Sequence, residues 1–105
     1  MTITEIQNRV HRIALDHGWW DAPRSIGEVL MLLVTELAEV MEAYREGNPE
    51  SDKIRGFSRM EEELADVVIR LLDLAGKEGL NIEAAVLAKM AYNEDRPYRH
   101  GGKIA

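Results

Sequence analysis

The sequence predicts an all-α protein, a four-helix bundle-like protomer with two central acidic helices that assembles as a homo-oligomer. Three observations carry this. Apolar residues recur with helical spacing through most of the 105 residues, and no segment sustains the alternation of a strand. Capping residues stand before the periodic runs and glycines after them. Two acidic motifs, Glu36-Leu-Ala-Glu39 and Glu63-Leu-Ala-Asp66, fall inside runs that read as helix.

The first helix is expected from about Thr4 to His17, with Ile6, Val10, Ile13 and Ala14 on one stripe and Gly18 as its stop. The segment from Trp19 to Arg24 contains Pro23 and reads as a loop. Ser25 with Glu28 has capping-box spacing, so a second helix starts there and ends at Gly47. Residues 48–57, with Pro49 and Gly56, form a polar connection. Ser58 and Glu61 repeat the capping-box spacing and open a third helix that reaches about Lys77. Asn81 caps a fourth helix, which ends before Pro97. Residues 1–105 are read as one helical domain, and residues 97–105, with Gly101-Gly102, as a flexible or site-closing tail.

The second helix sets the expected assembly. Around Glu36, Val29, Leu32, Leu33, Val40, Ala43 and Tyr44 lie within ~80° on either side. Leu30, Val34, Leu37 and Met41 continue the apolar surface well beyond that arc. The stripe is too wide for one neighbour in a small protomer, which predicts a homodimer or homotetramer.

Each acidic motif places two carboxylates one turn apart on a helix face. Glu36 lies inside the apolar arc, so it needs a partner, because an unpaired buried carboxylate costs several kcal/mol. One partner is an arginine such as Arg70; the other is a metal. With Glu39 a turn away and a second acidic pair on the next helix, the pattern favours a hard divalent cation with oxygen ligands, Mg²⁺ or Mn²⁺. Glu63 and Asp66 border an apolar face made by Leu64, Val67, Val68, Leu71, Leu74 and Ala75. Arg70 and Asp73 continue that border and read as a surface ion-pair ladder, with orientation of Glu63 or Asp66 as the functional alternative. Glu61 and Glu62 read as solvated first-turn residues.

A net charge of −6 argues against a general nucleic-acid binder. Residues 1–86 hold nine Lys/Arg against seventeen Asp/Glu, whereas residues 87–105 hold four against two. An acidic body with a basic tail suits a metal-bound polyanion. No apolar run approaches the ~20 residues that span a bilayer, so no membrane partner is expected and the expected location is cytoplasmic. The absence of cysteine excludes a disulfide framework and a cysteine nucleophile.

Lys89, Asn93 and Arg96 share one face of the fourth helix. Trp19 and Trp20 suit base stacking or packing at the top of the bundle, and their adjacency lets only one of them serve a ligand. Met31, Met41, Met60 and Met90 read as core filler, and His11 and His17 as surface or packing residues.

In this order and spacing the motifs resemble the MazG-like family of all-α nucleoside triphosphate pyrophosphohydrolases. That family carries ExxE, a spacer of some two dozen residues and then ExxD, matched here by Glu36/Glu39 and Glu63/Asp66. The words Gly18-Trp19-Trp20, Ala43-Tyr44-Arg45 and Ile69-Arg70-Leu-Leu-Asp73 fit as well. So do Lys89-Met-Ala-Tyr-Asn93-Glu-Asp-Arg96-Pro97 and His100-Gly101-Gly102-Lys103, and the chain looks like a short single-domain relative.

The resemblance implies hydrolysis of a nucleoside triphosphate between the α and β phosphates. It implies that Glu36, Glu39, Glu63 and Asp66 hold Mg²⁺ and that one of them, Glu39 for preference, activates the water. Lys89 and Arg96 would grip phosphate and Asn93 the ribose or base, with Trp20 at the base and His100 and Lys103 closing the site. Arg99, Lys53 and Arg55 are weaker candidates. Within the superfamily, a dUTP/dCTP-specific or phosphoribosyl-ATP pyrophosphohydrolase is the alternative. A non-catalytic helical adaptor is the rival of a different class. A di-iron carboxylate bundle lacks its Glu-x-x-His pairs here.

Overall fold

The computed structural model describes residues 1–97. It contains four helices, α1 (Ile3–Asp16), α2 (Ile26–Arg45), α3 (Arg59–Glu78) and α4 (Ile82–Glu94). Among the described residues the one β-type feature is an isolated antiparallel bridge between Glu50 and Ser58.

Local chemistry fixes the helix ends. At α3 the capping box is complete: Ser58 Oγ accepts from the Glu61 N–H at 3.1 Å, and Glu61 Oε1 accepts from the Ser58 N–H at 2.8 Å. At α2 only half of it forms, with Ser25 Oγ accepting from the Glu28 N–H at 3.1 Å. A third box, Thr2 with Glu5, starts α1 at Ile3, one residue before the expected Thr4. The backbone and hydroxyl bonds of these boxes hold the Glu5 and Glu61 carboxyls below the usual range. Asn81 Oδ1 caps α4 through the Ala84 N–H. Gly79 ends α3 at φ +68°, a left-handed turn that a side chain would strain.

α3 is the central element, with α2 along one side and α1 along the other. α1 comes so close to α3 that a Cβ on Gly76 would stand 2.8 Å from His11 Cβ. α4 rests mainly on α1. Gln7 donates to the Leu80 carbonyl at 2.9 Å, and Glu83 Oε1 accepts from the Thr4 N–H at 3.0 Å, tying α1 to the α3–α4 corner. The core consists of Val29, Ala43, Leu72, Leu74 and Ala75, and among the described residues no large side chain is fully enclosed.

Residues 48–57 form an ordered knot rather than a plain polar linker. Ser51 Oγ donates to Glu62 Oε1 at 2.6 Å and accepts from the Lys53 and Ile54 N–H groups. Glu62 is therefore buried, against the expectation of a solvated first-turn residue, while Glu61 is exposed as expected.

The α2 stripe is only partly covered in this protomer, and Tyr44, inside the expected apolar arc, is exposed. Val29 and Ala43 are buried against α3, whereas Leu30, Val34, Leu37 and Met41 are about half exposed. The Cα radius of gyration is 16.3 Å, against about 13 Å for a compact domain of this length.

Candidate active site

α2 and α3 bring the two acidic motifs together. Carboxylate oxygens of Glu36, Glu63 and Asp66 lie within 4.8 Å of one another, and all three side chains are partly buried. Glu39, one turn along α2, is exposed and stands outside this trio, so the structure converges three of the four expected carboxylates and leaves the fourth at the rim. Burial pushes the Glu63 carboxyl above the usual carboxylate range, and the like charges of Glu62, Asp66 and Glu39 push it further.

Arg70 borders the trio. Its Nε lies 3.7 Å from Glu36 Oε1, so the arginine partner of this partly buried glutamate exists beside the carboxylate cluster. The same guanidinium sits 3.6 Å from the centroid of the Trp19 ring, and Arg24 lies over that ring at 4.0 Å. Arg24 Nε also donates to the Trp19 carbonyl at 3.0 Å, fixing the loop after α1.

A cavity of about 400 Å³ opens between α1 and α3 next to this centre. Asp66 lines it at the carboxylate end and Asp73 at the far end, with Arg70, Trp19, Ile13 and Ile69 between. Asp66, Arg70 and Asp73 follow at i, i+4 and i+7, which puts them on one face of α3 over about 10 Å of helix axis.

Asp73 is not part of a surface ladder. It is 3% exposed, and its Oδ1 receives His11 Nδ1 at 2.7 Å and the Trp20 indole N–H at 3.0 Å. His11 is accordingly a packing residue, with its ring edge-on to Trp20. The aromatic in the cavity wall is Trp19; Trp20, the expected ligand contact, turns its N–H to Asp73 and is not among the lining residues. Two guanidinium groups already lie over the Trp19 indole, so its stacking capacity is taken by arginine. Sequence reasoning missed Arg24 altogether. The i, i+4, i+7 row from Asp66 was the signal that pointed to Arg70 and Asp73.

The α4 residues are held elsewhere within this protomer. Lys89 and Arg96 lie 4.4 and 5.8 Å from the Tyr92 ring, and neither they nor Asn93 border the carboxylate trio or the cavity beside it. Lys53 pairs with Glu62 at 3.8 Å, and Arg55 lines a separate surface hollow with Glu50 and Asp52. Arg99, His100 and Lys103 lie outside the described residues.

Three known proteins are similar to this chain in sequence. The chain is 35% identical over 102 residues to a dATP/dGTP diphosphohydrolase of Salmonella phage PMBT28, covering 93% of this chain and 28% of that protein. It is 31% identical over 103 residues to dCTP pyrophosphatase 1 of Homo sapiens, covering 94% of this chain and 61% of that protein. The Rattus norvegicus dCTP pyrophosphatase 1 is 28% identical over 102 residues, covering 90% and 58%. The chain thus spans about a quarter of the phage protein and about three fifths of the mammalian ones. No family model matches it, and no solved structure matches it. Similarity that runs through nearly the whole chain, on a fold that brings Glu36, Glu63 and Asp66 together, makes it similar to these nucleotide pyrophosphatases, in keeping with the resemblance to the MazG-like all-α family.

Proposed function

We propose that the chain hydrolyses deoxynucleoside triphosphates between the α and β phosphates, giving a monophosphate and pyrophosphate, with Mg²⁺ as the metal and Mn²⁺ as a substitute. The observation that carries this reading is the convergence of Glu36, Glu63 and Asp66 beside a cavity of nucleoside size. The relatives named for dATP/dGTP and for dCTP support the substrate class.

The carboxylates fit the metal. Glu36, Glu63 and Asp66 would hold it, since a hard divalent cation takes carboxylate oxygens and one from each of these residues lies within 4.8 Å of the other two. Burial first, and then the neighbouring carboxylates, hold the Glu63 carboxyl above the usual range, and a bound cation would offset both. When bound, the ion neutralises triphosphate oxygens and acidifies water.

Glu36, Glu63 and Asp66 are the ligands in this reading. Glu39, at the rim and left out of the trio, orients the attacking water and takes its proton. Water attacks the α phosphorus, and pyrophosphate leaves with the electron pair of the broken P–O bond. Arg70, a cation between the trio and the cavity, steadies the α-phosphate end of the nucleoside. The nucleoside occupies the cavity along α3. The exposed apolar row of α2, the α4 surface of Leu87, Met90 and Tyr92 and the expanded radius of gyration support a homo-oligomer. A neighbouring protomer is also the route by which Lys89, Asn93 and Arg96 would reach a site they do not border in their own chain.

The test is a panel of ribo- and deoxynucleoside triphosphates with Mg²⁺ or Mn²⁺, products resolved by chromatography. Monophosphate plus pyrophosphate, abolished by EDTA, is expected. Diphosphate plus phosphate would move the cleavage point, and no turnover of any nucleotide would sink the reading.

A further inference from the structure

Asp73 is a buried carboxylate that the hydrolytic chemistry does not use. It is two helical turns from Asp66, about 10 Å along the axis of α3, a span comparable with that of a nucleoside from its 5′ oxygen to the edge of its base. Both of its hydrogen bonds fall on one oxygen, Oδ1, which holds His11 and Trp20. Oδ2 has no protein partner among the described residues. No buried side-chain oxygen there is left without a partner, so Oδ2 is not sealed in, and the open space that Asp73 borders is the cavity. The side chain is 4% exposed and held from behind by two groups, so it presents a fixed oxygen rather than a mobile one.

An ionised carboxylate only accepts hydrogen bonds. At the far end of the cavity it would meet the edge of a base whose sugar and phosphate ran toward the carboxylate trio. An exocyclic amino group there gives it a hydrogen bond. A carbonyl oxygen in the same place sets two acceptors against each other in a site shielded from water. We propose that Asp73 determines base specificity, selecting nucleotides whose base presents an exocyclic amino group over those that present a carbonyl at that position. This rests on the proposed nucleotide hydrolysis and on the nucleoside lying in the α1–α3 cavity.

The experiment uses two matched pairs, dCTP against dUTP and dATP against dITP, which differ by an amino group in place of a carbonyl. In the pair turned over faster, the amino member is expected to have a kcat/KM about tenfold or more above its partner. Asp73→Asn keeps the shape and leaves an amide oxygen for His11 and Trp20, which turns the NH₂ toward the cavity. That variant should lower kcat/KM for the amino member about tenfold and raise it for the carbonyl member, inverting the preference. Equal rates within both pairs for the wild-type protein, or an equal fall for both members in the variant, would overturn the proposal, the second outcome marking Asp73 as structural only.

Product binding separates this proposal from the activity it rests on. Thermal stabilisation by dCMP against dUMP, and by dAMP against dIMP, reads base recognition without turnover. Selective binding by the amino members without hydrolysis would keep the Asp73 assignment and remove the proposed activity. Hydrolysis without selectivity in rate or binding would do the reverse.

Discussion

Arg70 on α3 reaches across to Glu36 on α2, its Nε 3.7 Å from Oε1, and so sets a fixed cation at the edge of a carboxylate cluster. The guanidinium is held from its other side by the Trp19 ring, 3.6 Å away at the centroid. A positive group in this position lowers the repulsion among the carboxylates and at the same time opposes the arrival of a metal cation.

Replacing Arg70 with Gln therefore separates two effects. Mn²⁺ should bind the variant severalfold more tightly, measured by titration calorimetry, because a competing charge is gone. Turnover should fall about tenfold or more, because the cation between the carboxylate cluster and the cavity is lost. Unchanged metal affinity would show that the 3.7 Å pair carries no weight in solution.

Glu63 supplies a pH-dependent signature. Its carboxyl is raised by burial and by the charges of Glu62, Asp66 and Glu39, so the folded chain holds that proton more tightly than the unfolded chain. The linked stability is present below the ordinary carboxylate range and lost as pH rises through the raised value. Metal-free Glu63→Gln should melt several degrees above wild type at pH 7, with the gap closing toward pH 4. Mg²⁺ should raise the melting temperature of the wild-type protein and not of the variant. A variant less stable than wild type at pH 7 without metal would remove the repulsion from the account.

What the sequence made legible was local. Ser58 with Glu61 and Asn81 with Ala84 meet within one turn, so residue order alone placed those helix starts. The acidic motifs were legible for the same reason, since i and i+3 share a face on any helix. Asp73 was misread because its partners, His11 and Trp20, are 62 and 53 residues away. Glu62 was misread because its burial depends on Ser51, which folds back from the connecting segment. Trp19 and Trp20 were adjacent letters with interchangeable prospects until Arg24 and Arg70 settled on one and Asp73 on the other. The place of α4 against α1 was hidden too, since its apolar residues leave several faces available.

The α1–α3 approach is tested by two glycines with opposite surroundings. A Cβ on Gly76 meets His11 Cβ at 2.8 Å and Cγ at 3.0 Å, and neither atom is a free side-chain end. Gly76→Ala should cost about 1–3 kcal/mol in urea denaturation, since the helices must part. Gly27 in α2 has no atom within 4 Å of an added Cβ, and Gly27→Ala should stabilise by up to about 1 kcal/mol through helix propensity. Equal effects would mean that α1 slides without penalty.

The outer face of α2 carries the last prediction. Leu37 and Met41 are 51% and 53% exposed in a row that also holds Leu30 and Val34, all within two turns of Glu36 on α2. Covering such side chains contributes ~1 kcal/mol each, and a symmetric contact uses the row twice. Wild-type protein should run as a dimer or tetramer by light scattering, and Leu37→Glu with Met41→Glu should run as a monomer. Burying two added carboxylates in an apolar contact costs more than the contact returns, whereas the same groups on a solvated face cost the helix little. Far-UV circular dichroism should therefore stay close to wild type. Turnover should drop at least tenfold, because α2 positions Glu36 and Glu39 and in the proposed oligomer a partner protomer would brace that helix from behind. A wild-type monomer at every concentration tested, fully active, would show that this row faces water by design and that the site is complete in one chain.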